Sequence, residues 1–338
     1  MENMEKLRVG VVGCGAIGRE HIARITNKFS GADVVAVSDV FIEGARKIGE
    51  PLGASIYNNS ADLVYDDDVD AIICTSPDIA HLETIMQCIE AEKPVFSEKP
   101  LSTSAAESRA IVEAEMRTGR HLVQVGFMRR YDSGFRQMKQ MIDEGSFGSI
   151  LYSRCTHWAV SVGRDYDDQM VISDASIHEI DTLRWLMEDE YESAQIIIPK
   201  ETSRTHTQLH DPQILMLRFK SGSVAIVEIF MNSGLGFDIN CQLVCENGII
   251  DLPGPAYPTY RQKGGLVIPI EQDWKRRFAG AYDNEIQDWI QSTLKGEVNG
   301  PSAWDGYVSN AVMEALLDAQ VSGEVESIDI DQKPDFYK

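Results

Sequence analysis

The chain opens with Leu7-Arg-Val-Gly-Val-Val-Gly-Cys-Gly-Ala-Ile-Gly18, an apolar run that leads into the spacing G-x-G-x-x-G. An apolar strand followed by this spacing and then by a helix is typical of a pyrophosphate-binding loop. Gly13 permits a tight turn, Gly15 lets the backbone approach the phosphates, and Gly18 lets the helix pack closely on its strand. Residues 20–27 have the apolar spacing of a helix, so the context supports the motif.

A second apolar run, residues 33–38, ends in Asp39, about 20 residues after Gly18. A carboxylate at this position accepts both ribose hydroxyls of an adenosine and repels a 2′-phosphate. The two segments together predict an NAD site, with NAD favoured over NADP. A Rossmann-like fold that has lost its ligand is the alternative interpretation.

Composition limits the class of protein. A length of 338 residues predicts about two domains, and the net charge of −22 argues against nucleic acid and anionic membranes as partners. We find no targeting segment and no apolar run of about 18 residues, so we expect a cytoplasmic protein with no membrane partner. The six cysteines form no C-x-x-C pair and are expected to be reduced and buried.

The alternation of segments predicts the fold class. Strand-like and helix-like segments alternate from residue 7 to about 126, which is typical of a doubly wound parallel sheet. Later, two hairpins are indicated around Ser221-Gly222 and Asn247-Gly248. We predict an α/β Rossmann domain, residues 1–127, followed by an α+β domain, residues 128–338, with a large, mostly antiparallel open sheet. Its helices are expected near residues 174–187, 282–295 and 302–321. The domain boundary is expected between Gly126 and Gly148, with Asp132-Ser-Gly134 as a candidate break.

Two groups of residues could carry chemistry. Lys99 follows a predicted strand within Glu98-Lys99-Pro100, and the carboxyl end of a strand in such a sheet faces the ligand crevice. Pro100 restricts the backbone of Lys99 to extended geometry. A surface lysine is the alternative.

The second group is Asp174, His178 and Asp181, whose spacing places them on one face of a predicted helix. A carboxylate one turn from a histidine orients the imidazole for general acid–base catalysis. A capped helix with a surface histidine is the alternative. A metal site is not expected, because no third ligand is near and the loop carrying His206 and His210 is predicted to be solvated.

The groups combine into a hydride-transfer site. NAD would accept a hydride from a carbinol carbon, and His178 would take the hydroxyl proton. Asp174 would position His178, and Lys99 would stabilise the developing alkoxide.

At these residues the chain resembles the glucose–fructose oxidoreductase/inositol dehydrogenase/rhizopine catabolism (Gfo/Idh/MocA) family over its full length, and within it the bacterial inositol 2-dehydrogenases. The segments most similar to the inositol enzymes are residues 18–27, 125–132, 281–288, 300–307 and 333–337. The resemblance implies NAD-dependent oxidation of a cyclic polyol, with myo-inositol to 2-keto-myo-inositol as the first expectation. It also implies a homotetramer formed through the open sheets.

The resemblance further implies roles for individual residues, with Lys99, Asp174 and His178 as the catalytic residues. The expected cofactor contacts are Gly13, Gly15, Ala16, Ile17, Gly18, Asp39, Val40, Ser76, Glu98 and Lys99. The expected substrate contacts are Lys99, Met128, Arg129, His157, Asp174, His178 and Phe237.

Three departures from the inositol enzymes fall in the expected substrate pocket. Ala159 stands where an Asn is typical, Ala175 where a Thr is typical, and Leu235 and Phe237 where tyrosines are typical. Each lost neutral hydrogen bond costs about 0.5–1.5 kcal/mol. Another inositol isomer, a modified inositol or a pyranose sugar is therefore the alternative substrate, and a non-catalytic NAD sensor the remote alternative.

Overall fold

The computed structural model describes residues 6–254 and 258–338, which divide into two units. The first unit comprises Met1–Phe127, Asp283–Asn310 and Asp331–Lys338. The second comprises Met128–Tyr282 and Ala311–Ile330. Two late segments of the chain thus belong to the first unit.

The first unit contains a parallel sheet of six strands, in the order β3-β2-β1-β4-β5-β6. The strands are β1 Leu7–Val12, β2 Ala32–Ser38, β3 Ser55–Tyr57, β4 Ala71–Cys74, β5 Val95–Glu98 and β6 Val123–Gly126. The helices between them are α1 Ala16–Lys28, α2 Ile42–Gly49, α3 Ser60–Val64, α4 His81–Glu90 and α5 Ala105–Thr118. This sheet confirms the predicted Rossmann fold, although the short strand β3 was not predicted.

The second unit contains a seven-stranded sheet, in the order β12-β11-β7-β10-β9-β8-β15. Its strands are β7 Ile150–Trp158, β8 Tyr191–Ile197, β9 Gln213–Phe219, β10 Val224–Phe230, β11 Asp238–Cys245, β12 Gly248–Asp251 and β15 Glu326–Ser327. Its pairs are antiparallel except that β7 and β10 are parallel. The predicted mostly antiparallel sheet and both predicted hairpins are confirmed. A separate two-stranded hairpin, β13 Tyr260–Gln262 and β14 Gly265–Val267, was not predicted.

Burial alternates along the strands of this larger sheet. In β9, Leu215, Leu217 and Phe219 are buried, while the residues between them are at least partly exposed. Strand β10 shows the same alternation. One face of the sheet therefore covers the core of the unit and the other is open, as the period of a strand requires.

The helices that follow β6 along the chain are α6 Ser133–Asp143, α7 Asp168–Met170, α8 Ile177–Met187, α9 Trp274–Arg277, α10 Ala279–Thr293 and α11 Ala303–Ser322. The helix predicted for residues 174–187 does not begin as an α-helix: Val171–Ser176 form a π-helical segment before α8. The candidate break at Asp132-Ser-Gly134 coincides with the start of α6, and the two units divide earlier, between Phe127 and Met128. Asp132 caps α6, because its Oδ1 accepts from the backbone N–H groups of Gly134 (2.9 Å) and Phe135 (3.2 Å).

In the parts of the chain that the structure describes, no helix has the length and apolar character needed to cross a bilayer.

The C-terminus is held to the first unit by a buried carboxylate. Glu115 of α5 accepts hydrogen bonds from the N–H groups of Leu122 (2.6 Å) and Val123 (2.8 Å) and from the hydroxyl of Tyr337. Burial raises the pKa of Glu115, and these three donors oppose the rise. The carboxylate therefore joins α5, β6 and the last residues of the chain.

We expect Tyr337→Phe to lower the free energy of unfolding by about 1.5–3 kcal/mol, because it removes a donor to a buried charged group. Tyr65→Phe is the matched control, since its hydroxyl donates to Glu90 at 2.8 Å on the surface. The control should change stability by less than about 0.5 kcal/mol. Thermal unfolding of both variants measures the difference, and equal effects would contradict the role of Glu115.

Candidate active site

The glycine loop after β1 packs directly against the backbone after β4. Gly13 has φ of 98°, and a Cβ there would lie 2.5 Å from the backbone of Thr75 and Ser76. A Cβ on Gly18 would lie 2.1 Å from the carbonyl oxygen of Gly13. The hydroxyl of Thr75 donates to that same oxygen at 2.6 Å. The turn and the close packing assigned to Gly13 and Gly18 are thus physical requirements of this unit.

Gly15 differs from its two neighbours in the motif, because a Cβ there would meet nothing within 4 Å. Gly15 is the N-cap of α1 and supplies no side-chain cap. Ala16 and Ile17 form the first turn of α1, with Ala16 exposed. The N-terminus of a 13-residue helix is therefore accessible at Gly15 and Ala16, which suits the pyrophosphate of a dinucleotide.

Asp39 lies just after β2, beside the glycine loop. Its Oδ2 accepts from the N–H of Cys14 at 2.8 Å, and its Oδ1 accepts from the N–H of Phe41 at 2.8 Å. Each carboxylate oxygen keeps a further lone pair for a ribose hydroxyl. Val40 next to it is 94% exposed, which leaves an apolar surface beside the expected ribose site.

Cys14 in this loop has an unreactive thiol. Burial, and after it the negative charge of Asp39, raises the pKa of the Cys14 thiol to about 11. The thiol therefore stays protonated at neutral pH and is a poor nucleophile.

Glu98 ends β5 and is followed by Lys99. Its carboxylate lies 2.8 Å from Nε2 of His21, a buried residue of α1. The ring of His81 bridges two loops, with Nδ1 2.7 Å from the carbonyl oxygen of Pro100 and Nε2 2.9 Å from that of Ser76. Sequence reasoning missed both histidines, and only their places at the start of predicted helices could have indicated them.

The second unit contains a buried group of three polar side chains. Arg129, in the turn after β6, donates from Nη1 to the Glu179 carboxylate of α8. The other oxygen of Glu179 lies 3.1 Å from Nδ1 of His157 on β7. Arg129 and Glu179 are each 2% exposed and His157 is 4% exposed. Burial alone would raise the pKa of Glu179, but Arg129 and His157 hold it below its usual value.

Two phenylalanines complete this group. Phe237 packs edge-on against the ring of His157, with centroids 5.5 Å apart, and edge-on against Phe278 at 6.3 Å. The guanidinium of Arg129 lies 5.5 Å from the centre of the Phe278 ring. Met128, beside Arg129, is buried. The structure thus brings together the predicted residues Arg129, His157 and Phe237 and adds Glu179 and Phe278, which were not predicted.

Asp174 lies on the π-helical segment, and His178 on the first turn of α8. The N–H of Ile177 bonds to the carbonyl of Ile172, five residues back, so the spacing of a regular α-helix does not apply here. Asp174 is exposed, whereas His178 is buried. Asp174 also forms a hydrogen bond with the hydroxyl of Tyr166, a residue that was not predicted.

The environment of Tyr166 reflects this contact. Burial, followed by the charge and hydrogen bond of Asp174, raises the pKa of Tyr166 well above its usual value. The same hydroxyl lies 2.9 Å from the carbonyl oxygen of Met170, so Met170 and Asp174 are two acceptors for its single proton. The hydroxyl stays protonated throughout the neutral pH range.

The loop that carries His206 and His210 is only partly solvated. His210 is exposed, but its Nδ1 lies 2.5 Å from Asp168, and this hydrogen bond raises the pKa of His210. His206 is half-buried, and its Nε2 is inaccessible to water. Among residues 6–254 and 258–338, no group of three or more His, Cys, Asp or Glu side chains could hold a metal ion.

Two family models match the chain. The Gfo/Idh/MocA model described as an oxidoreductase family with an NAD-binding Rossmann fold matches residues 7–127, and the model of the C-terminal alpha/beta domain of that family matches residues 139–328. The chain belongs to the Gfo/Idh/MocA oxidoreductase family, as its motifs predicted.

Individual relatives in the family match this chain over nearly its full length. Inositol 2-dehydrogenase 3 of Saccharopolyspora erythraea is 44% identical, with 98% of each chain covered. An inositol 2-dehydrogenase/D-chiro-inositol 3-dehydrogenase of Halalkalibacterium halodurans is 45% identical, covering 98% of this chain and 96% of the relative.

Among solved structures, the myo-inositol dehydrogenase of Lactobacillus casei in complex with NAD(H) and myo-inositol superposes with a TM-score of 0.97 at 37% identity. The match covers 98% of this chain and 100% of the other.

We expect Gly15→Ala and Gly18→Ala to separate cofactor binding from stability. The Cβ of the first enters open space at the phosphate loop, so the Kd for NAD should rise about tenfold or more while Tm stays unchanged. The second meets the Gly13 carbonyl and should cost about 1–3 kcal/mol of stability. NAD titration and thermal unfolding measure the two quantities; a fall in Tm for Gly15→Ala without weaker binding would contradict this view of the loop.

Proposed function

We propose that this protein is an NAD-dependent inositol 2-dehydrogenase that oxidises myo-inositol to 2-keto-myo-inositol. The observation that carries the proposal is the full-length likeness to inositol 2-dehydrogenases, which reaches a TM-score of 0.97 with a myo-inositol dehydrogenase. The glycine loop, the exposed first turn of α1 and Asp39 are suited to NAD. The buried polar group around Glu179 is suited to a substrate rich in hydroxyl groups.

The catalytic roles follow from the chemistry of three side chains. NAD, when bound, supplies a hydride acceptor. We assign to His178 the role of base that takes the hydroxyl proton, and to Lys99 the role of cation that stabilises the alkoxide. Asp174 would orient the imidazole of His178, and the Tyr166 hydroxyl would contact Asp174.

The binding roles are assigned to the other predicted site residues. Gly13, Gly15, Ala16, Ile17 and Gly18 would hold the pyrophosphate, and Asp39 with Val40 the adenosine ribose. Ser76 and Glu98, which His81 and His21 support, would contact the cofactor at the ends of β4 and β5. Met128, Arg129, His157 and Phe237 would contact the substrate. Asp39 also repels a 2′-phosphate and so favours NAD over NADP.

A related substrate is the second candidate. Ala159 and Ala175 are both buried, and Phe237 presents a ring edge to His157. These apolar groups reduce the number of hydrogen bonds available to a fully hydroxylated ring. A different inositol isomer such as D-chiro-inositol, a methylated inositol or a pyranose would tolerate such a wall better.

We further propose that the protein acts in the cytoplasm as a homotetramer. The support for assembly is the open face of the larger sheet, where half-buried and exposed side chains such as Tyr152 and Met216 alternate with core residues. An uncovered sheet face of this kind is a common site of association between subunits.

A panel of polyols tests the proposed substrate. We expect NADH formation with myo-inositol to exceed that with scyllo-inositol, D-chiro-inositol, glucose and xylose when kcat/KM values are compared. The readout is the absorbance of NADH. Activity confined to another polyol would overturn the choice of myo-inositol and favour the second candidate, whereas no activity with any of them would overturn the proposed class of substrate.

We expect Lys99→Met to lower kcat by about 10²-fold or more, because an electrostatic donor to the alkoxide is lost. Lys93→Met is the control: Lys93 precedes the same strand and donates to the carbonyl of Asp66 at 2.7 Å. Binding of NAD, measured by fluorescence titration, should survive in both variants. Full activity of Lys99→Met would show that the assignment is wrong.

A further inference from the structure

The Glu179 carboxylate is the point where three elements of the second unit meet. It lies on α8, directly after His178, and both of its oxygens face side chains from elsewhere in the unit. Arg129 contacts one oxygen and His157 the other. All three side chains are buried, so water does not replace either contact.

We propose that Glu179 is a positioning residue that holds the neutral imidazole of His157 with its proton on Nδ1, which leaves Nε2 as an acceptor for a substrate hydroxyl. The inference rests on the proposed function only in taking the occupant of the site to be a polyol. The arrangement of Arg129, Glu179 and His157 does not depend on it.

The two contacts of Nδ1 decide the tautomer. Nδ1 lies 3.1 Å from Oε2 of Glu179 and 3.3 Å from Nη2 of Arg129. The carboxylate can only accept and the guanidinium can only donate. A bare Nδ1 would direct its lone pair at the negative oxygen, whereas a protonated Nδ1 donates to it. The shorter contact, to a charged acceptor, is also the stronger of the two.

The charges of the group favour the neutral ring. Arg129 and Glu179 balance each other as a buried ion pair. A protonated His157 would be a second buried cation sharing one carboxylate, which is costly at a site where both side chains are nearly inaccessible to water. The neutral Nδ1–H tautomer satisfies Glu179 and adds no charge.

This tautomer gives His157 a defined role in recognition. Nε2 can then only accept, so it pairs with a hydroxyl group and cannot pair with an ether oxygen. The ring itself is held edge-on by Phe237. A ligand lacking the matching O–H would leave a buried acceptor without a partner, which sites of this kind reject strongly.

Glu179→Gln tests the proposal directly, because it keeps the shape of the side chain. The amide oxygen would accept from Arg129 and the amide N–H would donate to His157, so Nδ1 would lose its proton to Nε2. We expect KM for the polyol to rise about tenfold while kcat changes less than about threefold, the pattern of a lost binding interaction.

A spectroscopic measurement tests the tautomer without relying on activity. Nitrogen-15 solid-state NMR of histidine-labelled protein distinguishes the two tautomers, and the signal of His157 is assigned by its loss in His157→Gln. The chain has seven histidines, so the spectrum is tractable. We expect Nδ1–H in the native protein and Nε2–H in Glu179→Gln.

Glu190→Gln is the matched control. Glu190 pairs with Arg184 of α8 at 2.6 Å, so this change also removes a carboxylate that holds the helix, but at a site away from His157. It should lower Tm without changing KM for the polyol or the His157 signal.

Two further variants serve if Glu179→Gln does not fold. His157→Gln places an amide near the position of Nε2, and His157→Asn places one near Nδ1, while both leave the pair of Arg129 and Glu179 intact. We expect the Gln variant to retain most of the affinity for the polyol and the Asn variant to lose about tenfold.

Three results would overturn the proposal. They are an Nε2–H tautomer in the native protein, an unchanged KM in Glu179→Gln, and greater loss of affinity in His157→Gln than in His157→Asn. If native protein oxidises no polyol but shows the Nδ1–H signal, the proposed function fails while the tautomer assignment survives.

Discussion

Close approach of two backbone segments at the glycine loop is the constraint on which the first unit depends. Gly13 lies against Thr75 and Ser76, and Gly18 lies against Gly13, with no room for a side chain at either position. The Thr75 hydroxyl closes the contact. Because β1, β4 and the start of α1 meet here, this packing also fixes the direction in which the first N–H groups of α1 point. Neighbouring residues of one loop are therefore placed to serve packing, at Gly13 and Gly18, and the proposed anion binding, at Gly15.

Local features of the first unit could be predicted from the sequence because the signals are local. The glycine spacing, the acid after the second strand and the alternation of strands and helices each occupy a short window. The strand β3 was not predicted because three residues are too few to show the alternation of apolar and polar side chains that indicates a strand. The π-helical segment was not predicted either. Its hydrogen bonds reach five residues back, and the apolar spacing around Asp174 does not distinguish this pattern from that of an α-helix.

The buried polar group of the second unit could not be predicted, since its partners are distant in sequence. Arg129 and His157 are separated from Glu179 by 50 and 22 residues, and only the fold brings them together. The apolar spacing of α8 predicts an exposed Glu179. An amphipathic α8 would bury Ile177, Ile180 and Leu183 and expose Glu179, yet Glu179 is as buried as its apolar neighbours.

Helix α8 carries a second buried carboxylate, and the two together explain why the arrangement is specific. Arg129 pairs with Glu179, and the next residue, Arg130, donates to both oxygens of Asp181, from Nε and from Nη2. Consecutive arginines thus engage carboxylates two positions apart on one helix. Buried ion pairs of this kind add little net stability, because desolvation of the charges opposes their attraction.

Two such pairs do, however, fix the position of α8 along and around its own axis relative to the turn that carries Arg129 and Arg130. Sliding or rotating α8 by one residue would unpair the buried Arg129, Glu179 and Asp181 and the partly buried Arg130, at a cost of several kcal/mol for each fully buried charge. An apolar interface would tolerate the same slip far better, because packing contacts are less directional. His178 directly precedes Glu179 on the same helix, so its backbone is placed by charge pairing as well as by hydrophobic contact. The proposed proton transfer at His178 would require its groups to be held within fractions of an ångström, and the buried charges on this helix would meet that requirement.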